Sequence, residues 1–140
     1  MKKIPLILLA DDNLDDQSFI RDAFNYVNAN VIFRILNDGK ELLEHLQIIS
    51  DEDLPSLIVL DYNMPKLNGV EVLKILLQEK RWSAIPKIML STSFYQEHIE
   101  VCTKIGADGY LIKPDNLFAW KNIALNMLGY IKEPILTTTT

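Results

Sequence analysis

Leu57-Ile58-Val59-Leu60-Asp61-Tyr62-Asn63-Met64-Pro65 is the stretch from which the fold can be read. Four apolar residues, two of them β-branched, run without a polar break into a lone aspartate. A short strand that is apolar at every position is covered on both faces, as in a parallel sheet. Asn63 and Pro65 then supply turn chemistry. The segment therefore reads as a central strand that ends on a carboxylate and passes into a loop.

Four similar runs flank it: Ile4 to Ala10, the β-branched Val31 to Leu36, Ile88 to Leu90, and Tyr110 to Ile112. Helical periodicity fills the intervals. Ile20, Ala23, Phe24 and Val27 fall on one helical face. Leu42, Leu43 and Leu46 mark a second helix, and Val70, Leu73, Leu76 and Leu77 a third. Ile99, Cys102 and Ile105 mark a fourth, stopped by Gly106. Leu117, Trp120, Ala124, Met127 and Leu128 mark a fifth. Strand and helix alternate five times, so the fold class is α/β, a doubly wound five-stranded parallel sheet with helices on both faces. One domain is expected over residues 1–131, with 132–140, which hold Pro134 and four threonines, as a flexible tail.

Composition bounds the function. The 140 residues suit one domain, and 49% hydrophobic residues can supply its core. A formal net charge of −5 argues against non-specific nucleic-acid binding and against docking on anionic lipid. Cys102 is the single cysteine, so no internal disulfide can form and a reducing cytoplasm is compatible. The run after Lys2-Lys3 is short, ends at Asp11-Asp12 and has no cleavage pattern, so it is not read as a signal peptide. No apolar stretch approaches the ~20 residues that span a bilayer.

In an open parallel sheet, ligands bind beyond the carboxyl ends of the strands. There the sequence places Asp11 and Asp12, then Asp61, then Ser91 with Thr92, then Lys113 with Pro114. Singly, each has a plain structural explanation. Asp11, Asp12 or Asn13 can cap the first helix, Asp61 can serve a turn, and the hydroxyls and lysine can be solvated. Together they are harder to dismiss. Three carboxylates at one edge repel one another unless a cation compensates, and such a set suits a hard divalent ion. His45 and His98 lack ligand-like company and read as surface histidines. Cys102 reads as a small buried hydrophobe, and Trp82 and Trp120 as packing or contact residues.

These residues resemble the CheY-like receiver domains of response regulators, over essentially the whole chain to about Tyr130. The resemblance rests on four motifs in order. They are the acidic pair Asp11-Asp12; Asp61-Tyr62-Asn63-Met64-Pro65 running on to Gly69; Ser91; and Gly106-Ala107-Asp108-Gly109-Tyr110-Leu111-Ile112-Lys113-Pro114. It implies a flavodoxin-like sheet of order 2-1-3-4-5. It also implies a two-component response regulator that accepts a phosphoryl group from a sensor histidine kinase on Asp61. Magnesium is the implied cofactor, with manganese as a substitute. Asp12, Asp61 and the backbone carbonyl of Asn63 would ligate it, and Asp11 would act through a water. Lys113 would neutralise a phosphate oxygen, Ser91 would donate its hydroxyl to the phosphoryl group, and Tyr110 would be the aromatic switch coupled to that movement. Such a domain is not an enzyme beyond its own phosphorylation and dephosphorylation.

The departures are few. Asp115-Asn116 follow Pro114 where many relatives carry Phe, and Thr92 stands where many carry Ala or Gly. The Leu90-Ser91-Thr92-Ser93 run and the insertion-like Ser50 to Ser56 are similar to stand-alone receivers that partner bacterial phytochromes, which makes a phytochrome a candidate kinase. Too few residues follow Lys113 for an output domain, so a downstream protein target or phosphotransfer protein is expected. A homodimer through helix 4, strand 5 and helix 5 is a further expectation. Two rival readings stay open at this level. A magnesium-dependent phosphatase would need a second carboxylate where Asn63 stands. A phosphorylation-independent interaction module would have lost acidic or lysine residues, and none is lost here.

Overall fold

The structure, a computed structural model, describes residues 3–132. Five strands, β1 (Leu6–Ala10), β2 (Ile32–Leu36), β3 (Leu57–Asp61), β4 (Lys87–Ser91) and β5 (Gly109–Ile112), form one parallel sheet of order β2-β1-β3-β4-β5. The helices are α1 (Leu14–Val27), α2 (Gly39–Ile48), α3 (Gly69–Gln78), α4 (Gln96–Ile105) and α5 (Leu117–Leu128). The expected class and the 2-1-3-4-5 order are both present. The expected tail lies, from residue 133 on, outside the described residues.

Local sequence explains where most helices begin. The side chains of Asn13, Asp38, Asn68 and Asn116 each accept a hydrogen bond from a backbone N–H in the first turn of α1, α2, α3 and α5. At α3 the cap is reciprocal, because Glu71 returns a hydrogen bond to the Asn68 N–H. α4 ends at Gly106, whose φ of 128° a side chain would strain.

Strand side chains alternate between two cores. Ile7, Leu9, Val59 and Leu90 pack with Ile20, Phe24, Trp120 and Met127 of α1 and α5. Leu8, Leu60 and Met89 pack with Leu42, Leu46, Leu73 and Cys102 of α2, α3 and α4. Cys102 is fully buried, and Trp82 and Trp120 are packing residues.

Three expectations need correction. β2, apolar but for Arg34, and β5, without a charged residue, are the sheet edges and only half buried. Leu117, counted with the last helix's apolar face, is 59% exposed; Trp120, Ala124 and Met127 of that face are buried as expected, and Ile123 joins them. The histidines are not simply solvated: both are half buried, and His98 packs on Tyr62 with ring centroids 5.1 Å apart. Lys87 also breaks the apolar pattern without breaking the core. It is buried, and its ammonium donates to the carbonyls of Trp82, Ser83 and Ile85, capping the loop before β4.

Candidate functional site

Register brings the site together. Ala10 pairs with Leu60, so Asp11 and Asp61 follow on neighbouring strands. Asp61 pairs with Leu90, and Ser91 with Ile112, so Ser91 and Lys113 come next across the same sheet edge. One carboxylate oxygen each from Asp11, Asp12 and Asp61 lies within 4.8 Å of the others. Asp11 and Asp61 are buried and Asp12 is exposed, so the cluster opens to solvent on one side.

The backbone is tied down around these groups. Asp11 Oδ1 accepts the Asn13 N–H at 2.8 Å, and the buried Gln17 donates to the Asp11 carbonyl at 2.6 Å. Asp61 Oδ1 accepts the Asn63 N–H at 3.3 Å. The loop after β3 then folds back, with the Gly69 N–H donating to the Tyr62 carbonyl at 3.0 Å. A Cβ at Gly69 would collide with the Asp61 carbonyl, so only glycine lets the start of α3 sit against the aspartate.

Lys113 is the counter-ion. Its Nζ donates to Asp16 Oδ2 at 2.8 Å and to Asp61 Oδ2 at 3.1 Å. It also lies 2.9 Å from Asp11 Oδ2, but that pair lacks hydrogen-bond alignment. Asp11 Oδ2 is thus a buried carboxylate oxygen next to a cation yet without a donor. Such an oxygen is suited to a metal ion or to water on one, so the donor set fits a hard divalent cation.

Burial, then the Asp11 charge, pushes the Asp61 carboxyl up to about 7, with Lys113 and the Asn63 N–H acting against them. Asp11 is raised too, by burial, against the pull of Lys113. For Lys113 burial favours the neutral form, but the Asp16 hydrogen bond and the Asp11 and Asp61 charges outweigh it, and the ammonium is held.

On the far side, Ser91 is fully buried and its Oγ accepts the Ser93 N–H at 3.0 Å. Ser93 is a junction: its hydroxyl meets His98 Nδ1 at 2.6 Å and its carbonyl accepts the Tyr110 hydroxyl at 2.8 Å. Tyr110 is half buried, and Thr92 is exposed beside Ser91. Of the residues expected at the site, Asp11, Asp12, Asp61, Asn63, Ser91, Thr92 and Lys113 lie at this sheet edge or in the loops leaving it, while Tyr110 lies within β5 and reaches the Ser93 loop through its hydroxyl. Asp16, Gln17, Ser93 and His98 were not anticipated. Asp16 lies four residues after Asp12 on a capped helix, which was a usable signal; the Ser93–His98 contact had none.

A sheet of this order with this acidic edge defines a class. The response regulator receiver domain matches residues 7–120, and the chain belongs to that family. Its fold is that of the CheY-like receivers. A probable methanogenesis regulatory protein, FilR2 of Methanothrix harundinacea (strain 6Ac), is 32% identical over 111 residues, which are 78% of this chain and 72% of the relative. Among solved structures, the response regulator RPA3017 in red light signaling of R. palustris superposes with a TM-score of 0.83 at 26% identity, covering 98% of this chain and 100% of that one. The phosphorylated cyanobacterial phytochrome response regulator RcpA gives 0.82 at 26% identity, covering 92% and 94%. Among the described residues, no helix is long and apolar enough to cross a membrane.

Proposed function

We infer that this receiver is a phospho-switch in which Asp61 accepts a phosphoryl group from a sensor histidine kinase. The observation that carries the reading is the setting of Asp61: it is buried beside Asp11 and Asp12 at metal-ligating spacing, and bonded to Lys113. An Asp61 carboxylate oxygen attacks phosphorus, the bond from phosphorus to the donor histidine nitrogen breaks, and the electron pair leaves with that nitrogen. Lys113 faces the acceptor and neutralises charge on the transferred group.

Asp12, Asp61 and the Asn63 carbonyl would hold magnesium, or manganese in its place, with Asp11 acting through a bound water. When bound, the ion would supply positive charge that offsets the clustered carboxylates and the incoming phosphoryl group. Once Asp61 is modified, the Ser91 hydroxyl turns from the Ser93 N–H toward the new oxygens. The Ser93 junction then carries the change to Tyr110 and α4. In this reading the chain is a signalling protein whose chemistry is its own phosphorylation and dephosphorylation, with the cytoplasm as its expected compartment.

The likeness to two receivers whose names refer to phytochrome or to red light makes a phytochrome-type kinase the favoured donor. A downstream protein or phosphotransfer protein reads the output. Incubation with acetyl phosphate and magnesium tests the reading: one phosphoryl group should be added to the native chain and none to Asp61→Asn, and equal labelling of the two would overturn it.

A further inference from the structure

The three carboxylates around Lys113 are not equivalent. Asp11 and Asp61 belong to the metal-ligating triad, and Asp61 is also the acceptor. Both are engaged elsewhere once an ion and a phosphoryl group arrive. Asp16 is outside the triad, yet it makes the shortest of the three contacts, 2.8 Å. It stands in the first turn of α1, where the Asn13 cap bonds its N–H at 2.9 Å. Its side chain is 19% exposed and that of Lys113 only 6%, so the pair sits at the rim of the pocket rather than in open solvent.

A lysine head sits on a four-carbon stem with about 2 kcal/mol of rotamer freedom. In the pocket as it stands, Asp16 and Asp61 are its two aligned acceptors. Phosphorylation changes the second and leaves the first untouched. The Asp16 bond is therefore the fixed point about which the ammonium can exchange one partner for another.

We propose that Asp16 is a positioning residue for phosphoryl transfer to Asp61, holding the Lys113 ammonium at the pocket from α1 while its bond to Asp61 is exchanged for one to a phosphoryl oxygen. The proposal rests on the reading of Asp61 as acceptor. Asp16 touches neither phosphorus nor the ion and acts only through Lys113.

The test follows phosphorylation by phosphoramidate across magnesium concentrations in the full chain. It compares native protein, Asp16→Ala, Asp16→Asn, Lys113→Ala and the Asp16→Ala/Lys113→Ala double variant, with magnesium affinity read by isothermal titration calorimetry. Asp16→Ala should lower the rate constant at saturating magnesium about tenfold, the kind of loss that misplacement of a reacting group causes. Its magnesium affinity should stay within about threefold of native, because a partly exposed charge is screened. Asp16→Asn should recover most of the rate, since its amide oxygen can accept the same hydrogen bond. The double variant should be no slower than Lys113→Ala, because the two residues act as one unit. A native rate in Asp16→Ala, Asn as slow as Ala, or a further loss in the double variant would each overturn the positioning role. Absence of phosphoryl uptake by the native chain would remove the acceptor reading itself, and this proposal with it.

Discussion

At the scale of single residues, the site stores electrostatic repulsion that a proton or a cation relieves. Without metal, burial and Asp11 raise Asp61 from the ordinary 3.8 to about 7. Between those values the folded chain keeps a proton that the unfolded chain has released. Stability contributed by this group therefore falls as pH rises through that window. Metal-free native protein should thus be less stable relative to Asp61→Asn at pH 8 than at pH 5; thermal melts in a chelator check this, and an equal gap at both would contradict it. A second residue-scale outcome concerns lifetime. Thr92 is exposed beside the buried Ser91, and its β-branched χ1 is restricted. It should crowd water approaching an aspartyl phosphate, so the phosphorylated native form should outlive that of Thr92→Ala. Equal decay, or slower decay in the alanine variant, would remove the idea.

At the scale of elements, the loop from β3 to α3 decides where the acceptor sits. Gly69 packs directly on the Asp61 carbonyl and near Met89, and Gly69 is fixed in turn by the α3 capping box. Gly69→Ala should push the two apart, lowering both melting temperature and the initial rate of phosphorylation. Asn68→Ala should instead cost only about 1 kcal/mol of stability, as a lost cap does, with phosphorylation kept. Urea unfolding and labelling of both variants would separate the two effects.

The same elements show what the sequence could disclose. Strand ends were legible because apolar runs stop at polar residues, and Asp61, Ser91 and Lys113 each mark such a stop. Edge exposure was legible only in part: Arg34 interrupts β2, whereas β5 carries no charged residue and only its place in the sheet sets it apart. Lys87 was hidden for the opposite reason: a charged residue within a core strand is tolerated because three carbonyls from the preceding loop meet it. Asp16 could be placed on α1 but not against Lys113, since 97 residues separate them in the chain.

At the scale of the whole molecule, the chain carries net charge of −5 and exposes apolar side chains on several elements, one group of them on α4, β5 and α5. Val101 of α4, Ile112 of β5, and Leu117, Phe118 and Leu125 of α5 are 41–72% exposed. Apolar surface of this kind marks contact sites. A homodimer through α4, β5 and α5, tightened by phosphorylation, is the expected outcome. Sedimentation velocity with and without a phosphoryl mimic checks it, and a monomer at high concentration in both states would count against it.

The central claim is that Asp61 receives the phosphoryl group of a kinase histidine. The most direct measurement is timed transfer from purified, phosphorylated histidine kinases of the source organism, phytochrome-type kinases included, with the modified residue mapped by mass spectrometry. The account predicts rapid, magnesium-dependent transfer from one kinase, with the added phosphoryl group on Asp61 and none on Asp61→Asn. Transfer from no kinase, or a phosphoryl group mapped to any other residue, would contradict it.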